Sequence, residues 1–213
     1  MGIVSTWLDV GVKLQSALAT AAAIDAITQA NPGVVTDSAH GLSNGAWVKL
    51  SVEGMSELDG RVVRVANASA NTFELEGIDT SNFDAFTSGS YQVITYGTNL
   101  TVATGVNASG GDANFIGVGV IHDKQDRQIP GLQSPASFEF ECLWDPGDAG
   151  LAALKEASDN QTQLAVRLDF PNGRRVAFTG YISASMLPTG SFGEAVKTPV
   201  TVTMFGRPSL YTS

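Results

Sequence analysis

The sequence predicts a mainly β protein with one α-helix. Short segments in which apolar and polar residues alternate recur along the chain, separated by turn residues, as in half-buried strands. Only one stretch, within residues 145–161, has apolar residues at helical spacing. An Asn-Gly pair at 172–173 separates two alternating segments, which is typical of a tight β-hairpin. We therefore expect strands joined by short turns.

The first half of the chain predicts a small β module followed by longer apolar segments. Within the module, Val48, Leu50 and Val52 share one face of a strand. The expected module strands are 48–52, 61–65 and 72–78. Two apolar segments, 92–106 and 114–121, then flank the glycine-rich stretch NASGGDA.

The polar run HDKQDRQIPGLQSPA, residues 122–136, has no periodic apolar pattern and is long for a connection. Pro130 and Pro135 would partly stiffen it. We expect a functional loop or a disordered segment here.

The segment SFEFECLW, residues 137–144, has the clearest alternation. Phe138, Phe140 and Cys142 share one face, whereas Glu139 and Glu141 share the other. Cys142 is then most simply a small buried apolar residue. Two carboxylates two residues apart could suggest a glycosidase pair, but the solvated face of a strand explains them better.

The helix and the last strands complete the pattern. Asp148 is the candidate N-cap, and Leu151 and Leu154 follow at helical spacing, which predicts a helix over 148–158. The remaining expected strands are 163–170, 174–183 and 196–206.

Composition excludes several classes of function. The formal net charge of -9 disfavours a surface that grips nucleic acid by neutralising phosphates. Cys142 is the only cysteine, so neither an intrachain disulfide nor a cysteine-rich zinc site can form. We expect no metal and no cofactor. No apolar stretch reaches the ~18 residues of a membrane span, and we expect a protein made in the cytosol.

The stretch HGLSNG, residues 40–45, matches the nucleophile-elbow pattern G-x-S-x-G around Ser43. Chain order would permit a triad with His122 and an acid, either Asp79 or Asp112. An elbow, however, requires a strand followed by a helix, and the residues after Gly45 predict a strand. We therefore expect a turn in which His40 braces the backbone, and no enzyme.

Residues 27–89 resemble the FCCH-like domain, a small β module named after the ubiquitin-activating enzyme. The matching pieces are ANPGVVT, AHGLSNG, GMSELDGRVVRV, NTFELEGIDTS and TSG. The resemblance implies a decoration inserted into another domain and no ubiquitin chemistry. We place this module at 26–91.

The remainder, residues 1–25 and 92–213, is similar to the tail tube (major tail) proteins of long, non-contractile phage tails. The resemblance is carried by NFIGVGVIHDKQDRQIPGLQSPASFEFECLWDPGDAGLAALKEA, LAVRLDFPNGRRVAFTGYIS and VTVTMFGRPSLY. It implies a tail-tube-like β-sandwich or barrel with one helix packed outside it, over Phe138 and Phe140. The small module would be inserted after the first tube strand.

The same resemblance implies a structural virion protein. Six subunits would close into a ring, and the rings would stack into a tube assembled in the host bacterial cytoplasm. Partners would be further copies of the chain, the tape measure protein, and tail tip or terminator proteins, while DNA would pass through without specific binding. Glu139 and Glu141 are the candidate lumen-facing residues. The candidate inter-subunit loop comprises His122, Asp123, Lys124, Gln125, Asp126, Arg127, Gln128, Ile129 and Pro130.

One alternative is a binding protein whose module attaches to cell-surface glycans. Aromatic residues clustered on an exposed face would serve that purpose. The candidates are Trp47, Phe83, Phe86 and Tyr91. A serine hydrolase that uses Ser43 is the weaker alternative.

Overall fold

The structure is a computed structural model that describes residues 7–122 and 124–212. Within these residues the chain is mainly β with a single α-helix, α1 (Ala149–Asp159), which confirms the predicted fold class. The strands are β1 (Gly11–Leu18), β2 (Ala22–Ala23), β3 (Ala26–Ile27), β4 (Val34–Thr36), β5 (Trp47–Glu53), β6 (Val62–Ala66), β7 (Thr72–Leu75), β8 (Ser88–Leu100), β9 (Ala103–Ser109), β10 (Ala113–Gly117), β11 (Gln128–Gln133), β12 (Ser137–Leu143), β13 (Gln163–Asp169), β14 (Arg175–Ala184) and β15 (Lys197–Tyr211).

Thirteen strands form one continuous antiparallel sheet. Its order is β3-β4-β7-β6-β5-β8-β1-β13-β14-β15-β12-β9, with β2 paired to β8 off this path. The other two strands, β10 and β11, form a separate hairpin.

The larger hydrophobic core lies inside the curled second half of the sheet. Val12 and Leu14 of β1 share this core with Phe140 of β12, although three strands separate β1 from β12 in the sheet. Leu151 and Leu154 of α1 are buried in the same core, and the helix packs against β14, β8 and β13 rather than over Phe138 and Phe140 of β12 as the resemblance implied. Its N-terminus is capped as expected, because the Asp148 Oδ1 accepts the Leu151 N–H at 2.8 Å.

A second core lies among the strands that precede β8. It contains Phe73, Leu50 and Met55, and Tyr91 of β8 belongs to it. A third, smaller cluster joins the two parts of the sheet. Its members are Trp47, Val62, Ile94, Ala165, Ala177 and Tyr211.

Strands β14 and β15 bend where the two parts of the protein meet. Their register shifts between Ala177 and Thr179, and Gly206 adopts φ +78°. At this bend the Thr179 hydroxyl donates to the Gly60 carbonyl at 2.7 Å. Gly60, which lies between β5 and β6, is therefore bonded to β14 at a defined point.

Candidate assembly surfaces

The HGLSNG stretch is a turn and not a nucleophile elbow. Asn44 and Gly45 form the turn, Gly45 has φ +87°, and β5 follows it directly. A strand after the serine cannot supply the helix N-terminus that an elbow uses to stabilise an oxyanion. Among the described hydrogen bonds, none joins the Ser43 side chain to a histidine or an acid.

His40 braces this turn, as the sequence predicts. Its Nδ1 accepts the Leu42 N–H at 3.0 Å, and its Nε2 lies 3.2 Å from the Thr72 carbonyl. The ring also packs edge-on against Phe73 at 5.2 Å. Both ring nitrogens are thus occupied by the backbone of the turn and of β7.

The aromatic residues proposed for glycan binding do not form an exposed platform, so that prediction is wrong. Trp47 and Tyr91 are only 6% and 3% exposed and lie in different hydrophobic clusters. Phe83 and Phe86 pack against the second core. Trp47 lies on the opposite face of β5 from Val48, Leu50 and Val52, and there it is buried in the third cluster instead of being exposed.

Glu139 and Glu141 lie side by side on the exposed face of β12, opposite the buried Phe140 and Cys142. Across the ladders, Glu139 faces Thr201 and Asn107, whereas Glu141 faces Pro199 and Gly105. The Lys197 Nζ lies 3.1 Å from Glu141 Oε1. We call the surface formed by Gly105, Asn107, Glu139, Glu141, Lys197, Pro199 and Thr201 the polar face.

Strand β9 is an open edge of the large sheet. Its described ladder is with β12 alone, and its sequence ATGVNAS holds no charge and no proline. Natural proteins usually protect such edges with charges, prolines or covering segments, because unpaired backbone groups recruit further strands. The β9 edge is therefore available to a strand from another chain.

The β10–β11 hairpin extends past the ends of β9 and β12 as an arm, which we define as residues 113–133. The ladder of β9 with β12 continues through the backbone bonds of Gly111 and Ser134 into the arm. Gly110 and Gly111 have φ of +79° and +80°, and a Cβ on Gly110 would lie 2.1 Å from the Pro135 carbonyl oxygen. The backbone at Gly110 therefore requires glycine.

The arm corrects part of the predicted loop 122–136. Residues Gln128, Ile129 and Pro130, which were expected in a loop, belong to β11 and pair with β10. His122 and the residues 124–127 connect the two strands, while Asp123 lies outside the described residues. Whether this segment contacts another subunit stays a prediction.

The arm exposes apolar side chains on both of its faces. All five residues of β10 are exposed, and Ile121 near the tip is 99% exposed. The exposed apolar residues of the arm are Phe115, Ile116, Val118, Val120, Ile121, Ile129 and Leu132. A hairpin of two strands is marginally stable in water by itself, and a surface this apolar indicates a contact site.

A second exposed apolar surface, which we call the end patch, lies at the other end of β12. Segment 186–197 folds back there, with the Trp144 indole donating to the Met186 carbonyl at 2.9 Å and the Trp144 N–H to the Val196 carbonyl. The end patch comprises Leu143, Trp144, Leu187, Phe192 and Val196. The sequence did not predict the end patch, because isolated apolar residues in a loop form no periodic pattern that would mark a surface.

Three cations of β5, β6 and the turn between them contact residues of the second half of the chain. Lys49 donates to Gln163 Oε1 at 2.5 Å, and Arg61 Nε donates to Ser209 Oγ at 3.0 Å. Burial lowers the pKa of Lys49 and of Arg61. The Arg64 guanidinium pairs with Glu76 and lies 4.9 Å above the Tyr211 ring. Desolvated contacts of this kind hold the two parts in one orientation.

The described residues hold neither a metal-binding cluster nor a membrane-spanning helix. No group of three or more His, Cys, Asp and Glu side chains could hold a metal ion there. No helix among them is long and apolar enough to cross a membrane. Cys142 is fully buried as predicted.

Comparison with known families gives one match. A family model described as phage tail tube protein matches residues 53–213, which is most of the chain. The matched region contains the polar face, the β9 edge, the arm and the end patch. It begins at residue 53, inside the range 26–91 predicted for the small module. No curated protein matches the chain.

Proposed function

Because the chain belongs to the phage tail tube protein family, we propose that six copies close into a ring and that the rings stack into a long, non-contractile tail tube through which DNA is ejected. The family is structural and not enzymatic, and its members are components of the virion tail that self-assemble into a tube. The number of copies, the DNA channel and the further partners belong to the proposal.

The observation that carries the proposal is the arm, residues 113–133. Its seven exposed apolar side chains lie outside the hydrophobic clusters of the single chain. Burying them against another subunit or ring removes that surface from water, which is the main favourable term in most protein association. Of the candidate contact residues, His122 and the residues 124–130 lie at and beside the tip of this arm.

Ring closure uses the open edge of β9. A strand of the neighbouring subunit would satisfy the free backbone groups of this edge, and a closed ring leaves no edge exposed. The edge carries no charge or proline that would oppose such pairing.

The polar face would line the lumen, with Glu139 and Glu141 as its charged residues. Lys197 balances one of these two carboxylates, so the face carries a net negative charge. A negative lining repels phosphates and lets DNA slide, whereas a basic lining would hold DNA through counterion release.

The FCCH-like module, residues 26–91, would lie outside the tube. It holds eight acidic and three basic residues, and its basic residues Lys49 and Arg61 bond to the tube part. Ser209 and Tyr211 of β15 make the contacts with the module, and both follow the bend at Gly206. The β15 residues of the polar face lie before this bend. The module thus carries a net negative charge, eight acidic against three basic residues.

Assembly would take place in the host bacterial cytoplasm. The tape measure protein would occupy the lumen first, and tail tip and terminator proteins would cap the two ends. DNA would pass without specific binding because the one lysine of the polar face, Lys197, pairs with Glu141 and the face keeps a net negative charge.

Electron microscopy of the purified protein tests the proposal. Wild-type protein should form rings or tubes, and a variant with residues 113–133 replaced by a short Gly-Ser turn should not form tubes. The unfolding transition of the variant controls for folding, since the arm strands pair only with each other among the described strands. Wild-type protein that stays monomeric at high concentration, and also when seeded with tail tips, would contradict the proposal.

A further inference from the structure

We propose that the Lys49 amine condenses with the side-chain amide of Gln163 and forms an isopeptide bond within the chain. Lys49 lies in β5, and Gln163 is the first residue of β13. The two residues are 114 positions apart in the sequence. The bond would link the strands before β8 covalently to the second half of the chain, which assembly into a tube does not require.

The two reacting groups are already in contact. Lys49 Nζ lies 2.5 Å from Gln163 Oε1. Because a C=O bond measures about 1.23 Å, Gln163 Cδ lies at most about 3.7 Å from this nitrogen. Reacting atoms held about 3–3.5 Å apart are positioned for attack. The fold therefore holds the amine against the amide carbon, and a small side-chain movement brings the two atoms together.

The surroundings of Lys49 favour a neutral amine. The side chain is half-buried at a cavity of about 250 Å³ that Leu50 and Phe205 also line. Burial lowers the pKa of Lys49, which raises the fraction of the nucleophilic form. Among the described ion pairs none includes Lys49, and its hydrogen-bond acceptor is a neutral amide. A desolvated cation without an opposite charge in contact is costly, and amide formation removes that charge.

Asp59 lines the same cavity and can carry the proton that the reaction moves. Its charge acts on Lys49, and its Oδ1 is held in place by the Val52 N–H at 3.1 Å. A general base acts within hydrogen-bond reach or through one water molecule, and the cavity has room for a water.

The reaction needs no further reactant. The Nζ lone pair forms a bond to Gln163 Cδ, and the bond from Cδ to Nε2 breaks. The proton that Nζ loses passes through Asp59 to Nε2, which leaves as ammonia. Nothing is oxidised or reduced, and loss of ammonia to the solvent draws the reaction forward.

Intact-mass spectrometry of the full chain tests the proposal, after incubation at about pH 9, where more of Lys49 is neutral. The wild-type chain should be lighter than its sequence by one ammonia, about 17 Da. Tryptic digestion should give one branched peptide that contains Lys49 and Gln163. The variants Lys49→Arg and Gln163→Met should keep the full mass.

Two further variants serve as matched comparisons. Lys155→Arg should still lose ammonia, because Lys155 pairs with the Asp159 carboxylate on the helix. Asp59→Asn keeps an oxygen for the Val52 N–H but carries no proton, so it should slow the mass loss at least about tenfold. An unchanged rate in Asp59→Asn would overturn the assigned role of Asp59.

The outcomes separate this inference from the proposed function. A wild-type chain that keeps its full mass overturns the isopeptide bond and leaves the proposed tube standing. A loss of ammonia that persists in Lys49→Arg also overturns it, because cyclisation at an Asn-Gly pair such as Asn172 and Gly173 releases ammonia too. A branched Lys49–Gln163 peptide from protein that forms neither rings nor tubes supports the bond while the proposed function fails.

Discussion

Gly60 lies where the small module meets the bend of β14 and β15, and its replacement by alanine should loosen that contact. Gly60 has φ +68°, and an added Cβ would lie 2.3 Å from Cδ1 of Phe205. The Gly60 carbonyl also accepts the buried Thr179 hydroxyl. The residue thus combines a left-handed backbone with a tight contact between module and tube part.

The cost of Gly60→Ala has two contributions. The left-handed conformation costs an L-residue about 1–2 kcal/mol. Overpacking in a closed contact costs about 1–3 kcal/mol, and the lower half of that range applies because Phe205 is 39% exposed and its ring can rotate outward. The expected loss of unfolding free energy is therefore about 2–4 kcal/mol.

Gly77→Ala is the matched control. Gly77 has φ +66° in the same module, but nothing lies within 4 Å of its added Cβ. The difference between the two variants isolates the overlap with Phe205, about 1–2 kcal/mol, or about 2–8 °C in Tm for a chain of this size.

Scanning calorimetry measures the change in Tm, and urea unfolding measures the loss of unfolding free energy. In a Phe205→Ala background, Gly60→Ala should cost no more than Gly77→Ala does in the wild type, because the overlapping ring atoms are gone. Equal losses for Gly60→Ala and Gly77→Ala in the wild type would refute the packing argument.

Three further predictions concern the helix, the buried thiol and the polar face. Asp148→Ala should remove the helix cap and lower the free energy of unfolding, measured in urea, by about 1 kcal/mol. The control Glu156→Ala, at an exposed helix position, should change it by less than about 0.5 kcal/mol. Equal losses for the two variants would contradict the capping role of Asp148. Burial raises the pKa of Cys142 from 9.0 to about 11, so the folded chain keeps its thiol proton where the unfolded chain loses it, and stability should fall as pH rises from about 9 to about 11. Reaction of Cys142 with a thiol reagent at pH 8 should therefore be fast only in denaturant, and rapid labelling of the folded chain would contradict its burial. Tubes carrying Glu139→Lys and Glu141→Lys should bind DNA with a steep salt dependence that wild-type tubes lack, and unchanged binding would place these residues outside the lumen.

Local patterns predicted the elements that have one buried face. The strand 137–144 alternates strictly, so its buried and exposed sides follow from the sequence, and the structure agrees. The helix was equally predictable, because its cap and its buried leucines have fixed spacing.

Elements without a simple period were missed. Strand β1, between β8 and β13, was implied only by the resemblance, as the strand before the module, because irregularities in its pairing near Gln15 interrupt its alternation. Strand β11 contains Pro130 and Gly131 and has apolar residues on both faces, so nothing in its sequence predicts a strand. Its strand structure depends on pairing with β10, which is a non-local property.

The candidate site was predictable only in part. The alternation of Glu139 and Glu141 with Phe140 predicted an exposed acidic pair, but the lumen is a property of many copies. The end patch depends on segment 186–197 folding back over Trp144, which no local pattern of the sequence indicates.

An electron cryomicroscopy reconstruction of the assembled protein tests the central claim most directly. We predict stacked sixfold rings in which Glu139 and Glu141 face the channel and residues 26–91 project outward. A tube whose channel is lined by residues 26–91, or an assembly in which the polar face is buried between subunits, would contradict the account.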